Sequence, residues 1–431
     1  MKLKSKVLLG LKWTTFATIC TAAVAILKIS ILARYLDKSD FGLMALVSFV
    51  IGFVGLFGEG GLSTAILHKQ NVSKKVYSSL YWFNILFSIL LYVVLFFLAP
   101  AIANLYNESE LSHLIPLLGL NLIISGVGLQ FKTLEIKNMH FKHIGIIDIF
   151  SALISLLFSV WLAINGFGVL SLIYSLLVQN IISNFLFFII GIRKYGLRLH
   201  FKIHEVLPFL RIGVFQVAGQ SANYFNRDLD ILLIGKFFST EVLGGYSLAK
   251  QLVFRPLQLI NPILVKVASP TLVKFQDDIK VLKKNYLKLV SIVSSINLYA
   301  YISIILFAPL IVKILYGSEF GNIVILVRIL SVYMIFRAIG NPIGSLVVAT
   351  GRTDLEFYWN MLNLLIMPLF IYFGASYGIE QVAYSLVLAV FILFVPSWRL
   401  LTFKMTRASF KEYLTAIFIS FTKDGFKKIL R

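Results

Sequence analysis

Long apolar runs, each closed by a short polar stretch, recur along the whole chain. A membrane-spanning helix needs about 20 mainly apolar residues. At that length twelve spans emerge, at 11–34, 41–67, 78–105, 114–134, 144–165, 168–192, 206–238, 241–268, 286–316, 321–350, 355–374 and 380–402. Unpaired backbone groups are so costly in hydrocarbon that such runs form helices, not isolated strands. The pattern predicts an all-α integral membrane protein of about twelve transmembrane helices. The opening, Met1 to Lys6 ahead of apolar sequence reaching Leu32, reads as a signal anchor kept as the first span.

The polar stretches set an orientation. Lys69, Lys74 and Lys75, then Lys132, Lys137 and Lys142, then Arg193, Lys194, Arg198, Lys202 and Arg211, then Lys274, Lys280, Lys283, Lys284 and Lys288 fall on alternate loops. The intervening loops hold only Arg34, Lys38, Lys236 and Lys313. This bias predicts both termini on the cytoplasmic side of the membrane. It is weakest at Arg352, which Asp354 and Glu356 outweigh. Residues 404–431 are basic, with Phe410, Tyr413, Leu414, Ile417, Phe418 and Phe421 at helical spacing. They read as an amphipathic helix lying in the plane of the cytoplasmic face.

An internal repeat divides the spans. Residues 31–42, ILARYLDKSDFG, align without gaps on 233–244, LIGKFFSTEVLG, ending on Gly42 and Gly244. Residues 168–178 align likewise on 378–388. Transporters are often built from duplicated bundles around a central site. The expected organisation is an N-terminal six-helix lobe over 1–200, a C-terminal six-helix lobe over 201–403, and the tail.

Composition narrows the function. At 59% hydrophobic and 14% charged, the chain is far more apolar than the roughly 45–50% of soluble domains. Its formal charge of +21 is scattered between apolar runs, so it encodes topology and not a nucleic-acid surface. Cys20 is the single cysteine, so no disulfide or Cys-based metal site forms within one chain. There is no P-loop, no catalytic spacing of Ser, His and acids, and no loop of domain size; the expectation is a protein that is not an enzyme and needs no cofactor or metal. His140/His143 and His200/His204 sit beside Lys/Arg clusters and read as parts of solvated loops.

The chemistry concentrates on the seventh span. Gln216, Gln220, Asn223, Arg227 and Asp230 are spaced 4, 3, 4 and 3, which puts them on one helix face. Their repeat equivalents on the first span are Thr14, Thr18, Thr21, Ala25 and Lys28. Polar stripes at membrane depth line either a water-filled cavity or a packed interface between helices, and the charges favour the cavity. The eighth span adds Gln251, Arg255 and Gln258, with Lys250 pointing about 100° away. Arg337 and Arg328 lie on opposite faces of the tenth span; Arg337, sharing a face with Asn341, is the candidate. Substrate binding is assigned to Lys28, Gln216, Gln220, Asn223, Arg227, Arg255 and Arg337, and ion coupling or charge pairing to Glu59, Asp228 and Asp230. Asp148 is a further acid at depth. Lys28 and Asp230 are expected to face each other as a charge pair, with pairing of Asp230 to Arg227 on its own helix as the alternative.

Several of these segments resemble one family. They are FGEGGLSTAIL at 57–67, NRDLDILLIGKFFS at 226–239 followed by Leu243-Gly244-Gly245-Tyr246-Ser247-Leu248-Ala249, Ala308-Pro309 with Ile314-Leu315-Tyr316-Gly317, and Ala349-Thr350-Gly351-Arg352. Over about residues 5–402 the chain resembles Wzx-type polysaccharide flippases of the MOP superfamily. The resemblance implies a V-shaped pair of six-helix lobes that moves an undecaprenyl-pyrophosphate-linked oligosaccharide to the outer leaflet by alternating access. It implies membrane lipids, a polysaccharide polymerase and other assembly proteins as partners. Some relatives carry two further spans where this chain has its tail. The competing readings are a multidrug or lipid-linked peptidoglycan-precursor exporter of the same superfamily, and a membrane sugar-chain polymerase or ligase. The membrane-depth cations speak for an anionic substrate, since Arg offers planar, permanently charged donors to a pyrophosphate.

Overall fold

The computed structural model describes residues 3–59, 61–69 and 72–418; the side chains of Glu59, Gln216 and Lys266 lie outside the described set. Among the described residues there are helices and no strands. They are α1 (Leu3–Leu32), α2 (Lys38–Glu59), α3 (Leu62–His68), α4 (Lys74–Tyr106), α5 (Leu111–Lys137), α6 (Phe141–Ile164), α7 (Val169–Tyr195), α8 (Ile203–Phe237), α9 (Thr240–Val273), α10 (Ile279–Tyr316), α11 (Val324–Gly340), α12 (Pro342–Thr350), α13 (Thr353–Ala375), α14 (Ile379–Ser397), α15 (Lys404–Thr406) and α16 (Phe410–Phe418). Among the described residues ten segments are long and apolar enough to cross a membrane. The remaining predicted spans correspond to α8 and α9, long enough at 35 and 34 residues, whose Gln, Asn, Arg and Asp residues dilute the apolar sequence.

Local chemistry sets the ends and breaks. Ser73 caps α4, accepting from the Val76 N–H at 3.4 Å, and Asp278 caps α10, accepting from Lys280 and Val281 at 2.9 and 3.1 Å. The predicted span 321–350 breaks between α11 and α12, where Pro342 removes a donor and starts the new helix. The predicted span 41–67 comprises α2 and α3, with Gly61 between them at φ 62°. A Cβ there would stand 2.3 Å from Gly213 Cα, so only glycine fits.

The chain forms two compact units, Met1–Tyr224 with Ser239–Gly244, and Phe225–Phe238 with Gly245–Arg431. In the first, α5 packs against α4 and α7, and α1 against α6. Leu80, Tyr81, Phe131, Leu134 and Phe187 form its core. Gly52 lies against the Tyr224 hydroxyl, 2.3 Å from where its Cβ would be, while Gly55 has open space around it. Gly52 therefore permits a close approach of Tyr224 that Gly55 does not need.

The same unit contains the two glycines that end the repeat. A Cβ on Gly42 would stand 1.9 Å from the Thr240 carbonyl oxygen, and one on Gly244 would stand 1.7 Å from that of Lys38. Thr240 and Lys38 are themselves repeat equivalents, so the contact is symmetric and made by backbone. No rotamer change relieves a clash with a carbonyl. Gly42→Ala is expected to lower stability by about 1–3 kcal/mol, the usual cost of overpacking. Thermal unfolding in detergent checks this; Gly55→Ala should be near neutral.

In the second unit α11 packs on α10 and α14, and α13 on α14. The predicted amphipathic tail is helical as α16, but protein covers its apolar face. Tyr413, Ala416 and Ile417 are buried in a cluster with Leu282, Tyr286, Leu346, Leu401 and Met405. Burying a large apolar side chain is worth about 1.5–3 kcal/mol, which lets α10 compete with lipid for this face. Ser409 and Glu412 cap α16 reciprocally, at 2.7 and 3.2 Å, and Lys283 donates to Glu412 at 2.8 Å. The Lys283 hydrogen bond, with that of the Ser409 N–H, holds the Glu412 carboxyl below its ordinary range. A depressed carboxylate stabilises above its unfolded pKa, near 4.5, and loses that contribution as pH falls through the folded value. The protection factor of the α16 amides, taken against the intrinsic exchange rate at each pH, should stay high at neutral pH and fall only in acid; Lys283→Gln should weaken that acid dependence.

Candidate functional site

The predicted stripe on α8 is real as a helix face. Gln220 is half-buried, while Asn223 and Arg227 are exposed. Gln216 and Glu59 fall on side chains outside the described residues.

The charges meet in the second unit. Lys250, on α9, is buried and donates to Asp230 Oδ1 at 2.6 Å, Asp228 Oδ1 at 3.0 Å and the Arg227 carbonyl at 2.8 Å. Three acceptors for three donors saturate the ammonium. The Tyr246 hydroxyl, fully buried one turn earlier on α9, donates to Asp230 Oδ2 at 2.5 Å. The Arg227 guanidinium binds Asp228 Oδ2 through Nε and Nη2, both at 2.7 Å. Two carboxylates thus balance two cations, the condition under which ions persist at low dielectric. A pocket lined by Phe225, Asn226, Arg227, Asp230, Tyr333 and Met367, among others, borders the cluster.

Arg337 extends the network from α11. It donates through Nη1 to the Tyr333 hydroxyl at 2.6 Å and lies over the Phe254 ring at 5.3 Å. Lys250 lies over the same ring at 5.4 Å, so Phe254 is shared by two cations. Arg255, the next residue of α9, is half-buried and makes no hydrogen bond or ion pair among the described residues. Arg328, on the other face of α11, is exposed and makes a long 3.4 Å contact to the Ile305 carbonyl.

Lys28 is placed elsewhere, in the first unit. It is half-buried on α1 and donates at 3.0 Å to Ser155 on α6. Thr14, Thr18 and Thr21 turn their hydroxyls onto carbonyls of their own helix at 2.8–2.9 Å. Asp148 pairs with Lys132 at 2.9 Å, and His143 lies 3.3 Å from buried Glu135, which also holds Lys194 at 2.8 Å. Within its own unit Asp230 is held by Lys250 and Tyr246. A double-mutant cycle of Lys28→Ala with Asp230→Asn on transport rate tests the expected pair: coupling above about 0.5 kcal/mol supports it, and additivity contradicts it.

The residues that sequence reasoning passed over are Tyr246, Lys250 and Phe254. Their i, i+4, i+8 spacing was a readable signal, because a lysine inside an apolar span needs an acid within reach.

Comparison with known proteins completes the description. Residues 31–325 match the family described as "Polysaccharide biosynthesis protein". The lipopolysaccharide biosynthesis protein WzxC of Escherichia coli (strain K12) is 29% identical, over 98% of this chain and 86% of that protein. The teichuronic acid biosynthesis protein TuaB of Bacillus subtilis (strain 168) is 27% identical, over 86% and 77%. Among solved structures, the lipid II flippase MurJ in an inward closed conformation superposes with a TM-score of 0.78 at 17% identity, covering 95% of this chain and 91% of that one. An inward-facing multidrug resistance MATE family transporter of the MOP superfamily gives 0.70 at 16% identity, over 89% and 96%. The likeness is one of fold.

Proposed function

Because the chain belongs to the polysaccharide biosynthesis protein family, we propose that it is a flippase carrying a polyprenyl-pyrophosphate-linked oligosaccharide from the cytoplasmic to the outer leaflet by alternating access. The observation that carries this reading is the group of cations at membrane depth in the second unit. Lys250 is consumed by its two aspartates and Arg227 is held by Asp228 while its side chain stays half exposed, whereas Arg255 is half-buried with no hydrogen bond or ion pair among the described residues. A carrier of cationic drugs needs the opposite, acids left over.

In this reading Arg227 and Arg255 take the pyrophosphate, with Arg337, Gln216, Gln220, Asn223 and Lys28 lining the path of the headgroup. Glu59, Asp228 and Asp230 hold the charge balance as the lobes alternate. α8 and α9 complete twelve spans, arranged as lobes over 1–200 and 201–403, with both termini cytoplasmic. A polysaccharide polymerase receives the flipped unit. Cells lacking the protein should accumulate the lipid-linked unit with its sugars inside the permeability barrier; accumulation of a lipid-linked peptidoglycan precursor instead would reassign the substrate.

The orientation has its own check. In a Cys20→Ser background, single cysteines at Asp37 and Glu108 should react with an impermeant reagent in intact cells, and those at Lys74, Lys202 and Lys283 only after lysis. Labelling of position 202 in intact cells would overturn it.

A further inference from the structure

The segment joining α7 to α8 is fastened to the start of α4 by its backbone. Arg198 N–H donates to Ser78 Oγ at 3.0 Å and Lys202 N–H to Ser79 Oγ at 3.1 Å. Trp82 Nε1 donates to the Arg198 carbonyl at 3.0 Å, and Ser79 Oγ donates to Glu205 Oε2 at 2.6 Å. The His200 Nε2 lies 3.1 Å from both Glu205 oxygens. Ser78 and Ser79 are buried. The polar side of the segment is therefore turned inward and satisfied.

Its outward side is apolar. Leu199 is 93% exposed, Phe201 46%, Ile203 50% and Leu207 55%. In extended chain alternate residues point to opposite sides, which sends 199 and 201 out while 200 turns in; Ile203 and Leu207 continue the patch one helical turn apart. Around them Arg193, Arg198, Lys202, His204 and Arg211 are exposed. A serine clamp that holds a leucine and a phenylalanine in water gains nothing, because the exposed apolar surface remains unfavourable. Exposed apolar tips ringed by bases fit another solvent: the lipid interface, where the tips reach the acyl boundary and the bases meet anionic headgroups.

We propose that residues 198–207 dock on the anionic surface of the cytoplasmic leaflet, Leu199, Phe201, Ile203 and Leu207 entering the headgroup region while Arg193, Arg198, Lys202 and Arg211 bind lipid phosphates. Two observations select a membrane over a protein partner. The segment joins the end of one predicted span to the start of the next, so it lies at the bilayer surface wherever those spans cross. The apolar residues form one exposed patch, and the exposed charged residues along 193–211 are all of one sign. The choice of leaflet rests on the orientation proposed above; docking itself does not.

The test uses the full chain with Cys20→Ser, carrying an environment-sensitive fluorophore on Leu199→Cys, reconstituted in vesicles of phosphatidylcholine with and without phosphatidylglycerol. The same fluorophore on Asp277→Cys, an exposed position between α9 and α10, is the reference. Nitroxide-labelled lipid should quench the 199 probe strongly and aqueous iodide weakly, with the reverse at 277. Phosphatidylglycerol should enhance lipid quenching at 199, and Arg198→Gln with Lys202→Gln should remove the enhancement. Equal iodide access at both positions would overturn docking, as would a 199 probe shielded in native membranes but iodide-accessible in the lipid-only vesicles, which would indicate a protein partner. Lipid quenching at 199 combined with labelling of position 202 in intact cells would keep the docking and move it to the other leaflet.

Discussion

Lys250→Met is expected to be the most damaging single substitution in the second unit. The ammonium is the shared partner of Asp228 and Asp230, whose side chains are 16% and 11% exposed. Methionine fills the volume and removes the charge, leaving Arg227 as cation to two carboxylates. Removing one partner of a buried pair costs about 3–5 kcal/mol, a large fraction of the margin by which proteins stay folded. The protein should therefore reach the membrane at reduced level and unfold at lower temperature in detergent. Lys250→Met with Asp230→Asn, which restores neutrality, should recover most of the level without recovering the network's geometry. A double variant no better folded than Lys250→Met would show that the packing of the lysine chain, and not its charge, matters.

Arg227→Ala and Arg255→Ala are expected to abolish transport while leaving insertion intact, the opposite split from Lys250. A hydrogen bond to a charged group is worth about 1.5–3 kcal/mol, or on the order of 10- to 100-fold in affinity. Lysine should restore part of the activity at either position, since it keeps the charge but not the planar fork that suits phosphate oxygens. Arg328→Ala, on the exposed face of α11, is the control. Equal transport loss and equal loss of protein in all three would indicate misfolding and remove both arginines from the site.

The contrast between Lys250 and the arginines shows where reading the chain succeeded and where it stopped. Spans are legible because about 20 apolar residues in a row have few other fates. The stripe on α8 is legible because helical spacing alone assigns a face. What spacing cannot supply is which face of the neighbouring helix meets that stripe. On α9 the polar residues Gln251, Arg255 and Gln258 form one stripe, yet the face that meets α8 is one residue earlier, at Tyr246 and Lys250. Repeat symmetry relates Lys28 to Asp230 but does not supply the neighbours that packing brings within reach inside each unit, Ser155 for one and Lys250 for the other. The Gly42 and Gly244 match was weak as sequence and proved physically specific, because both glycines admit a carbonyl oxygen where a Cβ would stand. The tail's amphipathic pattern is legible as a helix, but not what covers its apolar stripe, because such a stripe is equally satisfied by lipid and by the protein surface that Tyr286 and Leu401 provide.

The most direct measurement of the central claim is transport by the purified protein. Proteoliposomes carrying a fluorescent polyprenyl-pyrophosphate oligosaccharide in both leaflets are treated with a glycosidase that cannot enter. If the chain is a flippase, the enzyme should consume nearly all of the substrate in vesicles with the wild-type protein, and about half in empty vesicles or with Arg227→Ala and Arg255→Ala together. Consumption that halts at half with well-folded wild-type protein, under every ion gradient applied, would contradict the account.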